Sequence, residues 1–298
     1  MHPQKKKNLQ IRSRILQVLR NFFITKNYIE IETPVRISAP AIEVHIEAEP
    51  SGECYLRTSP ELHMKRLLSE GFERIFQIGP CFRAGERGRF HSPEYTMLEW
   101  YRTGADYMDI LAETKGLLSA VVENISQKTW IVYRGIEIQL MPVWDCITVE
   151  DAFIEFAGWN PVTHAEPERF DIDYAEKVIP SLPVNRPVIL KDYPAYASAF
   201  ARLKPGRPEV AERWELFIGG IELANAFSEL TDPVEQRRRF EENLTEREKL
   251  GKPVYPVDEE FLSALDKGLP ECAGVALGVD RLVMLFTDAE CIDDVRAF

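Results

Sequence analysis

The chain has 298 residues, of which 45% are hydrophobic and 28% are charged, and its formal net charge is −12. This composition is typical of a globular protein with a substantial core, and no apolar run approaches the roughly 18 residues that a membrane-spanning helix needs. The acidic balance argues mildly against tight binding of nucleic acid, which normally requires a basic surface, and favours a small-molecule or protein substrate.

The five cysteines are scattered, odd in number and never form a CxxC pair. Such a pattern is typical of reduced thiols in the cytoplasm and not of a disulfide framework or a zinc site. The N-terminal segment is basic, but it lacks the apolar stretch of a secretion signal. We therefore expect a cytoplasmic protein that does not associate with a membrane.

The first part of the chain predicts a helix and two short strands. Apolar residues recur at helical spacing over 9–23, which indicates an amphipathic helix with one stripe facing the core. Alternating apolar residues over 28–32 and over 42–48 indicate strands.

The stretch TSPELHMKRLL predicts a junction between a strand and a helix. The strand ends at Thr58, Ser59 is suited to the N-cap, and Pro60 is suited to the first helical position, where its missing N–H costs nothing. Glu61 then lies in the first turn of the helix. It either complements the helix dipole or binds an ammonium group of a ligand, and the local sequence favours neither.

Residues 72–101 predict an antiparallel hairpin whose strands are joined by a long basic loop. Alternate residues of the second strand share one face, which carries Tyr95, Glu99 and Tyr101. Because two phenols and a carboxylate are costly to bury without partners, we expect this face to line a polar pocket. The loop also suggests a polyphosphate ligand, since it is rich in potential cations. These are Arg83, Arg87, Arg89 and His91. An exposed hairpin tip with solvated charges is the alternative.

The middle of the chain predicts a helix over 106–125, a hairpin over 131–140 and a helix over 149–157. Residues 158–186 are rich in Pro, Asp and Glu and are the part most suited to a variable insert. No Gly/Ser linker, repeat or low-complexity tract divides the chain, so we expect residues 1–298 to form a single domain.

The stretch AERWELFIGGIELANAFSELTD over 211–232 predicts a hairpin that turns at Gly219-Gly220. With these glycines as the loop, Phe217 opposes Glu222, and Glu215 lies diagonal to Glu222 on the same face. Two carboxylates so placed repel each other unless a cation lies between them, and Mg²⁺ bridging to phosphate is the natural candidate. Two solvated glutamates on an exposed sheet face are the alternative.

Glu229 lies seven residues past Glu222 and therefore on the opposite face of a regular strand. For both to enter one site, the strand must bend or bulge near Asn225-Ala226. Farther along, residues 232–249 predict a charged, solvent-facing helix. The stretch 274–286 then places glycines, which allow a backbone to approach a ligand closely, before Arg281 at the start of a helix.

Together, these blocks resemble the catalytic core of class II aminoacyl-tRNA synthetases of the lysyl type. The resemblance rests on TSPELHMKRLL, FRAGERGRFHSPEYTMLEWY, GIELANAFSELTD and GVALGVDRLVML, which occur in the family's order and span nearly the whole chain. Residues 29–34 resemble the family's first motif, which contributes to a dimer interface. The resemblance implies an α+β fold with an antiparallel sheet flanked by helices, a homodimer, and formation of an adenylate from ATP and a lysine-like amino acid.

Within this class, the sequence resembles one branch, the elongation factor P lysyltransferase family, in two features. The first catalytic helix starts by Leu9, so we expect no anticodon-binding barrel of the kind that lysyl-tRNA synthetases carry. Ala276 also stands where the synthetases usually have glycine. Because members of this family attach β-lysine, or less well α-lysine, to a lysine of the factor, the resemblance implies lysine or (R)-β-lysine as substrate and elongation factor P as partner.

By this resemblance, one group of residues would bind ATP with Mg²⁺. Arg83 would hold the α-phosphate and stabilise the charge that develops during adenylation, and His91 would reach the γ-phosphate. Tyr95 and Arg281 would hold adenine between a ring and a guanidinium. The nucleotide set is Arg83, Gly85, Glu86, His91, Ser92, Tyr95, Glu222, Leu223, Gly278 and Arg281, with Arg83 and Arg281 as the catalytic residues and with Glu215 and Glu222 as the Mg²⁺ ligands.

A second group of residues would bind the amino acid. Glu61 would pair with the amino group near the reacting carboxylate, and Glu99, Tyr101 and Glu229 would bind the distal ammonium. The methyl group of Ala276 would remove space beside the backbone of the amino acid and so favour the β-isomer. The full substrate set is Ser59, Pro60, Glu61, Glu99, Tyr101, Asn225, Glu229 and Ala276.

The second motif departs from the family pattern. It reads Arg83-Ala84-Gly85-Glu86 where the family usually has Arg-Asn-Glu, so the glutamate that contacts the adenine amino group is displaced by one residue. The departures at Ser92, Ala226 and Ser228 remove no charged catalytic group.

Two alternatives to a protein–lysine ligase stay open at this point. A minimal lysyl-tRNA synthetase-like enzyme would charge RNA, but the acidic balance and the expected lack of an anticodon-binding domain disfavour tRNA as a partner. A non-catalytic paralogue would bind an amino acid without activating it. Such paralogues typically lose charged site residues, whereas Arg83, Glu215, Glu222, Glu229 and Arg281 are all present.

Overall fold

The computed structural model of the protein describes residues 2–298. Within this range the strands are β1 (Ile29–Glu30), β2 (Arg36–Ile37), β3 (Pro50–Ser51), β4 (Cys54–Leu56), β5 (Arg74–Phe82), β6 (Glu94–Thr103), β7 (Trp130–Tyr133), β8 (Ile136–Gln139), β9 (Asp145–Thr148), β10 (Val188–Pro194), β11 (Leu203–Lys204), β12 (Arg207–Ile218), β13 (Ile221–Ser228) and β14 (Cys272–Gly278).

The α-helices of the described range are α1 (Pro3–Thr25), α2 (Glu61–Ser69), α3 (Tyr107–Val121), α4 (Val149–Ala157), α5 (Pro167–Asp173), α6 (Ile179–Ser181), α7 (Pro233–Lys249), α8 (Glu259–Asp266) and α9 (Val279–Thr287). Short π-helical turns continue α3 and α5, and 3₁₀ turns cover Ala195–Ala197 and Ile292–Val295. None of the helices within residues 2–298 is both long enough and apolar enough to cross a bilayer.

The central sheet has nine strands in the order β1-β5-β6-β14-β13-β12-β10-β9, with β11 paired to β12. The outer pairs β1–β5 and β10–β9 are parallel, and all the ladders between them are antiparallel. The sheet is flanked by helices, so the predicted α+β architecture is confirmed. The hairpins predicted over 72–101, over 131–140 and at Gly219-Gly220 are also present.

The two faces of this sheet differ in polarity because successive side chains of a strand point in opposite directions. One face carries a buried apolar row and packs against α1, α3 and α9. The row consists of Phe76, Trp100, Val275, Ala226 and Trp214, which are partners across five strands. A slip of one residue in any ladder would move this row to the other face, so the core fixes the register.

The opposite face is covered only at its ends. At one end an apolar cluster includes side chains of α2, α7 and α8, and at the other end a second cluster includes side chains of α4 and its neighbours. The part of the face between these clusters is left open to a cavity.

Residues 42–48 form no strand, contrary to the prediction from their alternating pattern. The backbone oxygens of Glu43 and Ile46 accept hydrogen bonds from the buried guanidinium of Arg247 at 2.7 and 2.9 Å, and Lys252 donates to the oxygen of Val44 at 3.0 Å. Side chains therefore satisfy the backbone acceptors that a strand would pair in a ladder. We call residues 42–48 the strap.

Two helix predictions also need correction. The helix α7 is not solvated on all sides, because Arg239 is buried on its inner face and donates to the backbone oxygens of Ala199 and Ala201 at 2.9 and 2.8 Å. The helix α2 begins at Glu61, so Pro60 precedes the helix and does not occupy its first position.

The hairpin between β12 and β13 provides a test of the packing. Gly219 and Gly220 have φ angles of +61° and +76°, which L side chains rarely adopt. A Cβ on Gly219 would lie 2.8 Å from Ile138 Cδ1 and 3.2 Å from Tyr133 Cδ1, whereas a Cβ on Gly220 would meet only Val184 Cγ1, at 3.9 Å. The two sites therefore share the backbone strain and differ in crowding.

We expect Gly219→Ala to lower the free energy of unfolding by about 2–4 kcal/mol, because overpacking adds to the backbone strain. Gly220→Ala should lower it by about 1 kcal/mol, since only the strain applies. Urea denaturation of both variants measures the difference. Equal losses would contradict the crowding at Gly219.

Candidate active site

One row of residues across the open face of the sheet forms the floor of a cavity. Glu99 of β6 pairs with Ala276 of β14, Ala276 pairs with Asn225 of β13, and Asn225 pairs with Glu215 of β12. Partners in a ladder point to the same side of a sheet, so these side chains share one face across neighbouring strands. The cavity above them has a volume of about 400 Å³.

A bulge in β13 brings Glu222 and Glu229 to this same face. The register of β13 against β12 shifts at Leu223, which is an extra residue of β13. One extra residue reverses the alternation of side chains once, and both glutamates line the cavity. The bulge that the sequence requires for Glu222 and Glu229 to enter one site is therefore present, although it lies at Leu223 and not near Asn225-Ala226.

Most of the predicted site residues meet at this cavity. Those that line it are Ser59, Glu61, Arg83, Glu86, His91, Ser92, Tyr95, Glu99, Tyr101, Glu215, Glu222, Leu223, Asn225, Glu229, Ala276, Gly278 and Arg281. Pro60 and Gly85 do not line it. Pro60 precedes α2, and Gly85 has a φ of +76°, so the turn of the loop explains the glycine.

The basic loop contributes fewer cations to the cavity than its sequence suggests. Of the four potential cations in this loop, only Arg83 and His91 line the cavity. Arg89 instead donates to the backbone oxygen of Glu290 at 2.7 Å, which ties the loop to the C-terminal part of the chain. Arg87 does not line the cavity either.

Carboxylates gather at one end of the cavity. The Ser59 hydroxyl accepts the backbone N–H of Glu61 at 2.9 Å and donates to Glu99 Oε1 at 2.7 Å, and the Tyr101 hydroxyl donates to Glu99 Oε2 at 3.0 Å. Burial and the charge of Glu61 raise the pKa of Glu99 to about 7, although the two hydroxyl donors oppose that rise. Buried carboxylates so close to one another require cationic partners.

Glu229, like Glu99, is almost completely enclosed at this end, with an exposed fraction of 1%. Its Oε2 forms an ion pair with the buried ammonium of Lys65, which also lies 2.6 Å from Glu61 Oε1. Burial raises the pKa of Glu229 above its ordinary value, and the Lys65 ammonium opposes the rise. Glu229 Oε1 has no hydrogen-bond donor among residues 2–298. A buried oxygen of this kind beside a cavity marks a position where an ammonium group of a ligand can donate.

Gly274 allows the side chains at this end to approach the backbone of β14. A Cβ at this position would lie 2.2 Å from Tyr101 Cε1 and 2.8 Å from Glu229 Oε1. A glycine inside a strand often marks such a close approach. Gly274 is therefore required by the arrangement of Tyr101 and Glu229.

Cationic groups lie toward the other end of the cavity, where β6 runs back from Glu99 to Tyr95. The guanidinium of Arg83 lies over the Tyr95 ring, 5.3 Å from its centroid. Arg281 donates to the backbone oxygen of Glu222 at 2.7 Å and lies 2.8 Å from His91 Nε2. Burial and the adjacent Arg281 lower the pKa of His91, so its imidazole is neutral and accepts from the guanidinium. Guanidinium groups beside an aromatic ring suit the phosphates and the base of a nucleotide.

Glu215 and Glu222 differ in their freedom to bind a metal ion. Glu215 already pairs with Arg213 and accepts from the Tyr174 hydroxyl at 2.7 Å, whereas the side chain of Glu222 is 41% exposed and lies 3.3 Å from Arg281. Across residues 2–298 no three His, Cys, Asp or Glu side chains group in a way suited to a metal. Mg²⁺ held by one or two carboxylates together with phosphate oxygens needs no such group. Glu222 could bind Mg²⁺ in this way without rearrangement, whereas Glu215 would first have to release Arg213 and the Tyr174 hydroxyl.

Several charged residues at the site were missed by the reading of the sequence. Lys65 lies one helical turn after Glu61 in α2, and Arg213 lies two residues before Glu215 in β12, so the spacing could have identified both. Glu43 lines the cavity from the strap, where burial raises its pKa to about 7. The apolar alternation of the strap indicated a strand, and no sequence signal pointed to Glu43.

Comparison with known proteins agrees with this fold. The family described as tRNA synthetases class II (D, K and N) matches residues 1–298, and the chain belongs to that family.

The relatives include members of the branch that the sequence resembles. An elongation factor P–(R)-beta-lysine ligase of Vibrio atlanticus is 39% identical over 98% of this chain and 95% of its own length. The ligase of the same name from Proteus mirabilis is 37% identical over 98% of this chain and 94% of its own length. A lysine–tRNA ligase of Trichormus variabilis is 35% identical over 100% of this chain and 58% of its own length. The resemblance inferred from the sequence is confirmed.

We expect Gly274→Ala to raise the KM for the amino acid about tenfold to a hundredfold, because the added methyl group displaces Tyr101 and Glu229. The KM for ATP should stay within about twofold, since the cationic end is not touched. Amino-acid-dependent exchange of pyrophosphate into ATP measures both constants. Gly116→Ala in α3 is the control, because its Cβ would meet only Phe22, at an ordinary 3.6 Å. An unchanged KM for the amino acid in Gly274→Ala would contradict this account.

Proposed function

We propose that the protein is an ATP-dependent ligase that joins lysine or (R)-β-lysine to a lysine side chain of elongation factor P. Support comes from relatives that are named for this reaction, that share 37–39% identity, and of which this chain covers 94–95%. The observation in the structure that carries the proposal is the division of one cavity into a carboxylate end and a guanidinium end.

The carboxylate end suits a substrate with two amino groups. Glu61 and Glu99 lie near each other, and Glu229 presents an oxygen without a donor among residues 2–298. One ammonium group could satisfy Glu61 while the other donates to Glu229 and Glu99. A monoamino acid would leave part of this buried negative charge without a partner, which is costly.

The first half of the reaction joins the amino acid to the nucleotide. An oxygen of the amino-acid carboxylate attacks the α-phosphorus of ATP, the bond from that phosphorus to the bridging oxygen breaks, and pyrophosphate leaves. Arg83 stabilises the negative charge that develops on the α-phosphate oxygens. Burial would lower the pKa of Arg83, but the surrounding acidic groups raise it above its ordinary value, so the guanidinium stays charged.

The second half transfers the activated amino acid. The nitrogen of a neutral acceptor amine attacks the carbonyl carbon of the mixed anhydride, AMP leaves with the electron pair of the C–O bond, and the nitrogen loses a proton to water as the amide forms. Neither half requires a nucleophile of the protein. The rate comes from holding the reactants in line and from neutralising charge.

The proposal includes Mg²⁺, which would be held by Glu222, with Glu215 after a change of partners, and would neutralise phosphate charge. It also includes a homodimer, supported by Ile29, which is 53% exposed on the edge strand β1 inside the segment that resembles the dimer-forming motif. A location in the cytoplasm follows from a translation factor as acceptor.

Pyrophosphate exchange without an acceptor, followed by transfer to elongation factor P, tests the reaction. We expect exchange with both α-lysine and (R)-β-lysine, stronger with (R)-β-lysine, and we expect the amino acid to appear on the factor. Arg83→Ala should abolish exchange, whereas Arg87→Ala, in the same loop but away from the cavity, should retain it. Charging of bulk tRNA with α-lysine in place of the factor would support a lysyl-tRNA synthetase-like enzyme instead. No exchange with either amino acid would overturn the proposal.

We expect Ala276→Gly to lower the preference for β-lysine over α-lysine about tenfold, because one methyl group in a tight pocket contributes about that much selectivity. The ratio of kcat/KM for the two amino acids in pyrophosphate exchange measures it. Ala273→Gly is the matched control, since Ala273 lies on the same strand but belongs to the apolar core on the other face. An Ala276→Gly ratio equal to that of the wild type would disprove the role of the methyl group.

A further inference from the structure

Lys65 has an environment that is unusual for a lysine. Its side chain is completely buried in α2, with the ammonium 5.2 Å from the centre of the Phe200 ring. Its ionic partners are Glu61 and Glu229, which come from two distant parts of the chain and both line the cavity. A buried ammonium is tolerated only when it is paired in this way.

The geometry divides the oxygens of the two glutamates between Lys65 and the cavity. Lys65 contacts Glu61 Oε1 and Glu229 Oε2. Glu229 Oε1 lies on the side of Gly274, a residue that lines the cavity, and has no donor among residues 2–298. The ammonium therefore holds each carboxylate from behind and leaves an oxygen of Glu229 for a ligand.

We propose that Lys65 is a positioning residue of the amino-acid site, which bridges Glu61 and Glu229 and aims both carboxylates at the two amino groups of a diamino acid. This inference rests on the proposed function, because it assumes that the substrate carries two ammonium groups. The ammonium of Lys65 does not touch the substrate; it acts through the two glutamates.

The groups around Lys65 keep its side chain protonated and positively charged. Burial alone would lower the pKa of Lys65, but the carboxylates of Glu229 and Glu61 raise it above its ordinary value. The reverse also holds, because the ammonium opposes the rise that burial causes in the pKa of Glu229. The other titratable groups that face Glu229 are Glu61, Glu99, Tyr101 and Cys272.

Substitution of Lys65 would have different effects if its role were purely structural than if it positions the two glutamates. Loss of a structural ion pair lowers the melting temperature and reduces the amount of active enzyme, but it leaves the KM and the pH profile of the remaining enzyme unchanged. Loss of a positioning ammonium raises the pKa of Glu229 further, so the ionised form that binds an ammonium requires a higher pH. The sign of the pH shift therefore separates the two roles.

The experiment compares Lys65→Met and Lys65→Gln with the wild type in pyrophosphate exchange, from about pH 6 to about pH 9, with α-lysine and (R)-β-lysine. Lys65→Met keeps the length of the chain without the charge, and Lys65→Gln keeps a polar donor if the methionine variant does not fold. We expect the acid limb of kcat/KM for the amino acid to move up by about one pH unit, and the KM at neutral pH to rise about tenfold. The KM for ATP should change by less than about twofold.

Lys204→Met is the matched control, because Lys204 forms an ion pair with Asp192 at 2.8 Å away from the cavity. We expect it to lower the melting temperature without moving the KM or the pH profile. Variants of Lys65 that behave like Lys204→Met would overturn the inference while leaving the proposed function intact. If the wild type shows no exchange with either amino acid, the proposed function fails, and this inference fails with it.

Discussion

The site depends on the register of the central sheet more than on any single contact. Glu99, Ala276, Asn225 and Glu215 come from separate strands, and they face one cavity only because each ladder keeps its pairing. The apolar row on the other face enforces that pairing, since a slip of one residue would expose tryptophans and bury carboxylates. The hydrophobic core and the polar site are thus two results of the same alignment.

The bulge at Leu223 breaks this alternation within β13, and the site requires the break. Without it, Glu222 and Glu229 would lie on opposite faces of β13, one in the cavity and one against the core. With it, a single strand supplies a carboxylate to each end of the cavity. In the proposed function, a diamino acid and a nucleotide lie end to end along β13, with the amino-acid carboxylate directed toward the α-phosphate.

Most of the fold could be predicted from local periodicity, and the site could be predicted where its residues lie on regular elements. The alternation along residues 94–101 and the Gly219-Gly220 turn correctly indicated which side chains share a face. The position of the bulge could not be predicted, because it depends on how β13 fits between two neighbours. The strap was misread as a strand because Arg247, about two hundred residues away, takes its backbone oxygens. Tyr174 was missed for a similar reason, since its contact with Glu215 joins an irregular region to the sheet.

In the proposed function, the charge of the cavity and its shape select different properties of the amino acid. The carboxylates can select a substrate with two ammonium groups, but α- and β-lysine carry the same charges and differ only in where one amino group is attached. We therefore propose that the discrimination between them comes from the space beside the backbone of the substrate, next to β14. That strand presents Gly274 where Tyr101 and Glu229 need room, and it presents Ala276, half-buried between Glu99 and Asn225, two residues farther along. The strand β14 thus contributes small, uncharged side chains to the cavity, while its neighbours supply the charges. In the proposed function, the methyl group of Ala276 is the feature of β14 that distinguishes the two positions of the amino group.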